Sequence, residues 1–190
     1  IEQVPGLAPR DRGFDSNVLT EADASPERVQ LLRSRFWSGL HDRLGRPPSA
    51  SRVRMLEKTP KNALRIRFLR SVFPEARFVF LYRDVRQTLG SMIDAWKSGR
   101  FRTYPGLPGW PSHQTWSLLL VPGWRELIAQ SLHQVVRVQW ERTLNDILDQ
   151  LEPLPRERWT ALDYADFLKD PATETQRICA ALDLKWDREL

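Results

Sequence analysis

The sequence predicts an α/β fold built on a parallel sheet, and three observations carry that prediction. Residues Phe78–Tyr82 read Phe-Val-Phe-Leu-Tyr, an unbroken run of strand formers of the kind covered on both faces. A strand–loop–helix order occurs twice between Val53 and Trp96, which implies parallel strands joined by helical crossovers. Hydrophobic residues make up 41% of the 190 positions and include eight Trp and eight Phe, enough for a core of one domain spanning residues 1–190.

Taken in order, residues 1–24 carry Pro5, Gly6, Pro9 and Gly13 without a sustained apolar period and read as an irregular lead-in, a loop or linker. Ser25-Pro26 then opens a helix whose apolar positions Val29, Leu32, Phe36, Leu40 and Leu44 recur every three or four residues, with Gly45 and Pro47-Pro48 as the stop. Residues 53–56 form a short apolar segment compatible with a buried strand. Thr59 can cap and Pro60 can open a helix carrying Leu64, Phe68, Leu69 and Val72 up to Pro74. After the strand Phe78–Tyr82, Asp84 caps a helix with Gln87 in the place of a capping-box partner and Val85, Leu89, Met92, Ile93 and Trp96 as its stripe. Residues 99–123 fit neither period and are too aromatic for a plain linker, so they read as a substrate-side excursion. Val136, Trp140, Leu144, Ile147, Leu148 and Leu151 mark a long helix, residues 159–162 another short strand and 171–182 a last helix.

Lys and Arg total 29 against 24 Asp and Glu, a net charge of +5. That excess suits phosphorylated ligands or acidic surfaces without choosing among them. There is no basic stripe with interleaved aromatics to suggest a nucleic-acid binder and no apolar run long enough to span a membrane. The single Cys179 forbids an intrachain disulfide and cannot build a thiolate zinc site, and with no signal peptide visible a reducing, cytoplasmic setting is the default expectation.

In an open parallel sheet, ligands bind beyond the carboxyl ends of the strands, where helix N-termini present unpaired N–H groups. Lys58 follows the segment ending at Leu56, and Arg83 follows the strand ending at Tyr82, so both cations are candidates for an anion site. The competing reading is that each neutralises a carboxylate or lies in solvent. With Asp84 as the cap, Thr88 and Ser91 share a face opposite Leu89, Met92 and Ile93, and a hydroxyl there can reach an anion held by the arginine.

The stretch from Phe78 to Ser91, Phe-Val-Phe-Leu-Tyr-Arg-Asp-Val-Arg-Gln-Thr-Leu-Gly-Ser, closely resembles the 3′-phosphate-binding segment of sulfotransferases that use 3′-phosphoadenosine 5′-phosphosulfate, PAPS. The arginine and the serine eight positions later match Arg83 and Ser91. Leu56-Glu57-Lys58-Thr59-Pro60-Lys61-Asn62 is similar to the family's lysine-bearing loop, and Leu162-Asp163-Tyr164-Ala165-Asp166-Phe167-Leu168 to its Tyr-Glu-Asp-Leu stretch, with Ala165 departing from the usual Glu.

The resemblance implies a parallel-sheet sulfotransferase fold of the P-loop NTPase type. It also implies sulfuryl transfer from PAPS to a hydroxyl or amine of a small-molecule, glycan or peptide acceptor, leaving 3′-phosphoadenosine 5′-phosphate, PAP. Lys58 would stabilise the transferring group, Arg83 and Ser91 would hold the 3′-phosphate, and Tyr164 would pack by the adenine. The family's glycine-containing 5′-phosphosulfate loop has no counterpart here, nor does any Gly-x-x-x-x-Gly-Lys loop. The fold is therefore expected to be incomplete at the N-terminus, with an upstream segment or partner chain supplying the strand and loop. The alternative is a non-catalytic module that binds PAPS or PAP.

The general base stays open between Glu57, which can equally be the salt-bridge partner of Lys58, and His113 or His133. Trp110, Trp116 and Trp124 either line an acceptor pocket or belong to the core, and Lys169 and Arg177 read as solvated charges.

Overall fold

A computed structural model describes residues 1–9, 11, 14–42, 44–49, 53–111 and 115–186. The chain divides into two compact units, Ile1–Pro74 and Glu75–Leu190.

In the first unit, helix α1 spans Pro26–Gly39, with the Ser25 hydroxyl accepting from the Arg28 amide at 3.4 Å. It ends a turn before the expected Leu44 because Asp42 organises a competing turn. Its carboxylate accepts from the Leu44 and Arg46 amides at 2.8 and 2.9 Å and from Arg46 Nε at 2.8 Å. Leu44 is left exposed. The expected strand at 53–56 does not form: a strand needs a neighbour's ladder, the segment has none among the described residues, and Leu56 is 93% exposed.

The helix expected after Thr59 is a short 3₁₀ turn, Pro60–Leu64, followed by α2 at Ile66–Val72. Arg65 breaks the two apart with φ −141°. Thr59 does not cap. Its hydroxyl donates to Glu57 instead.

Residues 1–24 are irregular, as their breakers predict, yet they are no linker. Val4, Leu7 and Leu19 are buried with Leu32, Phe68 and Val72 in the core of this unit. A polar cluster pins the segment in place. Arg65, 3% exposed, donates from Nη2 to Glu2 at 2.9 Å and from Nε to the Asn17 carbonyl at 3.0 Å, while Lys61 donates to both Glu2 oxygens at 2.7 Å. Burial alone would raise the pKa of the Glu2 carboxyl, but its bonds to Lys61 and Arg65 outweigh burial and hold it below the ordinary range.

The second unit opens with β1, Phe78–Tyr82, as the sequence predicts, followed by α3 at Val85–Ser98. Gly99 ends α3 in the left-handed region at φ 63°. Strands β2, Arg102–Tyr104, and β3, Trp116–Ser117, form an antiparallel pair inside the aromatic excursion. Then come α4 at Leu132–Leu151, β4 at Trp159–Asp163, α5 at Tyr164–Lys169 and α6 at Pro171–Ala181.

Strands β1 and β4 pair in parallel from Phe78 opposite Trp159 to Tyr82 opposite Asp163. The architecture is α/β with a parallel strand pair and flanking helices. β1 is not covered on both faces, since Val79 is 38% and Leu81 54% exposed.

The tryptophans of the excursion are core. Trp116 and Trp124 are fully buried and Trp110 nearly so, in edge-to-face contact, and Trp96 joins them at a centroid distance of 5.3 Å from Trp116. Gln139 ties this cluster together, accepting from Trp96 Nε1 at 3.1 Å and donating to the carbonyls of Ser117 and Leu119. Among the described residues, no helix is long and apolar enough to cross a membrane.

Candidate functional site

The register of the parallel pair builds the site. Tyr82 and Asp163 are partners at the carboxyl ends of β1 and β4, so the next residue on each strand, Arg83 and Tyr164, emerge side by side. The Arg83 guanidinium carbon lies 5.6 Å from the centroid of the Tyr164 ring. Two caps fix where each chain turns. The Asp84 carboxylate accepts from the Gln87 amide at 3.0 Å to start α3, and the Asp163 carboxylate accepts from the Ala165 amide at 2.7 Å to start α5.

Gln87 does not close the expected capping box. Its side-chain oxygen accepts from Arg83 Nε at 2.8 Å. Arg83 is exposed, and its Nη1 and Nη2 have no partner among the described residues.

Beside this pair opens a cleft of about 730 Å³ lined by Arg83, Ser91 and Tyr164 together with Thr88, Met92 and Ala95 of α3. Thr88, Ser91, Met92 and Ala95 are one helical stripe. Met92 therefore shares the face of Ser91 and does not oppose it as expected. The Thr88 hydroxyl donates to the Asp84 carbonyl at 2.9 Å, whereas the Ser91 hydroxyl makes no hydrogen bond among the described residues.

The far wall is apolar, formed by Leu118 and by Trp140, Leu144, Ile147 and Leu148 of α4. Leu118 adopts φ 64°, a left-handed conformation uncommon for a branched side chain. One end of the cleft thus offers an unneutralised guanidinium edge, a hydroxyl and an aromatic ring, and the other an apolar surface. That combination suits a ligand with an anionic group next to a flat heterocycle.

Lys58 and Glu57 lie in the first unit, both exposed. Glu57 does not pair with Lys58. Its carboxylate accepts from the Thr59 hydroxyl at 2.6 Å and from the side-chain Nδ2 of Asn62, and Lys58 has no hydrogen bond or ion pair among the described residues. His133 is exposed in the first turn of α4, and His113 lies outside the described residues. Lys169 is a surface charge bonded to Asp166 at 2.8 Å. Arg177 is more than a solvated charge, because its Nη2 donates to the Ala161 carbonyl at 2.8 Å and fastens α6 to β4.

The sequence reading missed Gln87 as the partner of Arg83 and missed the contribution of α4 to the cleft. The spacing of Trp140, Leu144, Ile147 and Leu148 carried the second signal, since so wide a stripe faces more than one neighbour. The first had none, because a glutamine three residues after a cap serves either bond equally well.

Among solved structures, the chain is similar to the "Sulfotransferase Domain from the Curacin Biosynthetic Pathway", with 18% identity and a TM-score of 0.48 over 70% of this chain and 40% of that one. It thus spans well under half of that protein. No curated protein matches the sequence. The family model described as "Sulfotransferase family" matches residues 6–188, nearly the whole length. The chain belongs to the sulfotransferase family.

Proposed function

We propose that the protein transfers a sulfuryl group from PAPS to a hydroxyl or amine, and that the cleft of the second unit takes the adenosine 3′-phosphate end of the donor. The observation that carries this reading is the juxtaposition of Arg83, Tyr164 and Ser91 at one end of an otherwise apolar cleft. The two free nitrogens of Arg83 match the two oxygens of a phosphate edge, the Ser91 hydroxyl adds a donor, and the Tyr164 ring offers a face for adenine.

Lys58, cationic and without a hydrogen bond or ion pair among the described residues, stabilises the charge that builds on the bridging oxygen as its bond to sulfur breaks. The acceptor oxygen or nitrogen bonds to sulfur in line and passes its proton to a base, for which Glu57 is the candidate. In-line positioning supplies most of the remaining acceleration.

The donors for the 5′-phosphosulfate are assigned to a glycine-bearing turn from a segment outside these residues. The absence of such a loop from the sequence and the exposed Val79 and Leu81 of β1 support that assignment. A reducing, cytoplasmic setting suits the single, unpaired Cys179.

The test incubates the protein with radiolabelled PAPS and a panel of phenols, alcohols, amines and glycans, and titrates it with PAP by calorimetry. Tight PAP binding by these residues, and label transfer once a segment carrying the 5′-phosphosulfate loop is supplied, are the expected results. Binding without transfer to any acceptor, even with such a loop supplied by an added segment or partner chain, would make the chain a nucleotide-binding module.

A further inference from the structure

We infer that Gln87 is a positioning residue that sets the selectivity of the cleft for a 3′-phosphate, an inference that rests on the proposed reading of Arg83. A free arginine side chain samples many rotamers, and ordering it on a ligand costs affinity. Here two contacts order it beforehand. Gln87 Oε1 accepts from Nε at 2.8 Å along one edge of the guanidinium, and the Tyr164 ring lies 5.6 Å from its carbon. With Nε occupied, the Nη1 and Nη2 edge is the part left for a ligand, and that edge makes the bidentate pair with phosphate.

The chemistry of the holding group matters as much as its place. A carboxylate at position 87 would hold Nε equally well, but it would neutralise the guanidinium and compete with the incoming phosphate. The neutral amide orients the cation and leaves its full charge for the ligand.

Two substitutions separate these roles. Gln87→Met keeps length and helix propensity but removes the acceptor. Gln87→Glu keeps the acceptor and adds a charge that the first turn of α3 favours. The readout is the ratio of dissociation constants for adenosine 5′-phosphate and adenosine 3′,5′-bisphosphate, measured by calorimetry on the full chain, with thermal unfolding run alongside. Gln87→Met should lower the ratio about three- to tenfold, and Gln87→Glu about tenfold or more, at an unfolding midpoint equal to or above that of the parent.

A role confined to starting the helix predicts the opposite for Gln87→Glu, an unchanged ratio. If the parent discriminates and both variants keep its ratio, the positioning role is overturned while the 3′-phosphate reading stands. If the parent does not discriminate, that reading itself falls.

Discussion

Arg65 and Arg83 are each held by groups of their own unit, and their surroundings differ in whether a carboxylate neutralises the guanidinium. Arg65, 3% exposed, spends its donors on Glu2 and the Asn17 carbonyl, and Lys61 shares the same carboxylate. Arg83 is exposed and held by a neutral amide and a ring face, with no carboxylate paired to it among the described residues. A buried cation must be neutralised, because the desolvation it suffers is repaid only by a close partner. An exposed cation that is oriented yet left unneutralised gains nothing for the fold that a surface ion pair would not also give. The contrast separates a residue held for stability from one that, on the proposed function, is held for a ligand.

The largest effect that sharpens this contrast belongs to Lys58, an exposed cation with no hydrogen bond or ion pair among the described residues. Lys58→Ala is expected to lower turnover by roughly two to three orders of magnitude with PAP affinity nearly unchanged, because its contact strengthens as charge develops. The unfolding transition should not move. Single-turnover kinetics with calorimetric PAP titration check both halves. An equal loss in PAP affinity with the chemical step intact would make Lys58 a binding residue.

Next in size is Arg83→Ala. Removing a bidentate charge-assisted contact should cost about 1.5–3 kcal/mol of binding for adenosine 3′,5′-bisphosphate and little for adenosine 5′-phosphate. Stability should be untouched, the reverse of what Arg65 would show. Equal losses for both nucleotides would remove Arg83 from the 3′-phosphate site.

Breaking the other side of the comparison takes Glu2→Gln, which leaves the buried Arg65 without its counter-charge and should destabilise the fold by about 2 kcal/mol in chemical denaturation. The effect depends on pH with a definite sign. The folded carboxyl sits below its unfolded value, so its contribution is complete above the ordinary carboxylate range near pH ~4.3 and is lost as pH falls through the folded value. Parent and variant should therefore converge in stability in acid. A gap that persists undiminished below that range would show that packing, and not charge, is what Glu2 supplies.

The same contrast marks how far the sequence could be read. Strand Phe78–Tyr82, the Asp84 cap, the second strand near Trp159 and the long helix α4 were all legible, because each rests on local pattern and capping chemistry. Arg83, Ser91 and Tyr164, singled out by the resemblance, line one cleft, and the β1–β4 register explains why Arg83 and Tyr164, 81 positions apart, meet.

What escaped was long-range. Nothing local says that Val4 and Leu7 fold back onto Phe68, or that Arg65 is wanted by Glu2 and Asn17 strongly enough to split a helix. Residues 53–56 have the composition of a strand, but only a neighbouring ladder makes one. The end of α1 was lost to Asp42, whose turn was invisible behind an unbroken apolar period.

The smallest effect is also the most specific test of the cleft. Ser91 is one helical turn beyond Thr88 on the same stripe of α3, and the two hydroxyls have opposite assignments. The Thr88 hydroxyl is committed to the Asp84 carbonyl at 2.9 Å, while that of Ser91 has no partner among the described residues. If the stripe were merely a polar helix face, Ser91→Ala and Thr88→Val would both be silent toward nucleotides. If the cleft takes a 3′-phosphate, Ser91→Ala should cost about 1 kcal/mol, a loss of several-fold, for adenosine 3′,5′-bisphosphate alone. Thr88→Val, which deletes only a backbone contact within the helix, should leave the nucleotide preference intact. In the double variant Ser91→Ala/Arg83→Ala the two losses should not add, because both groups grip the same phosphate and either one alone holds it poorly. Strict additivity in that cycle would place Ser91 and Arg83 on different parts of the ligand and separate the hydroxyl from the arginine's site.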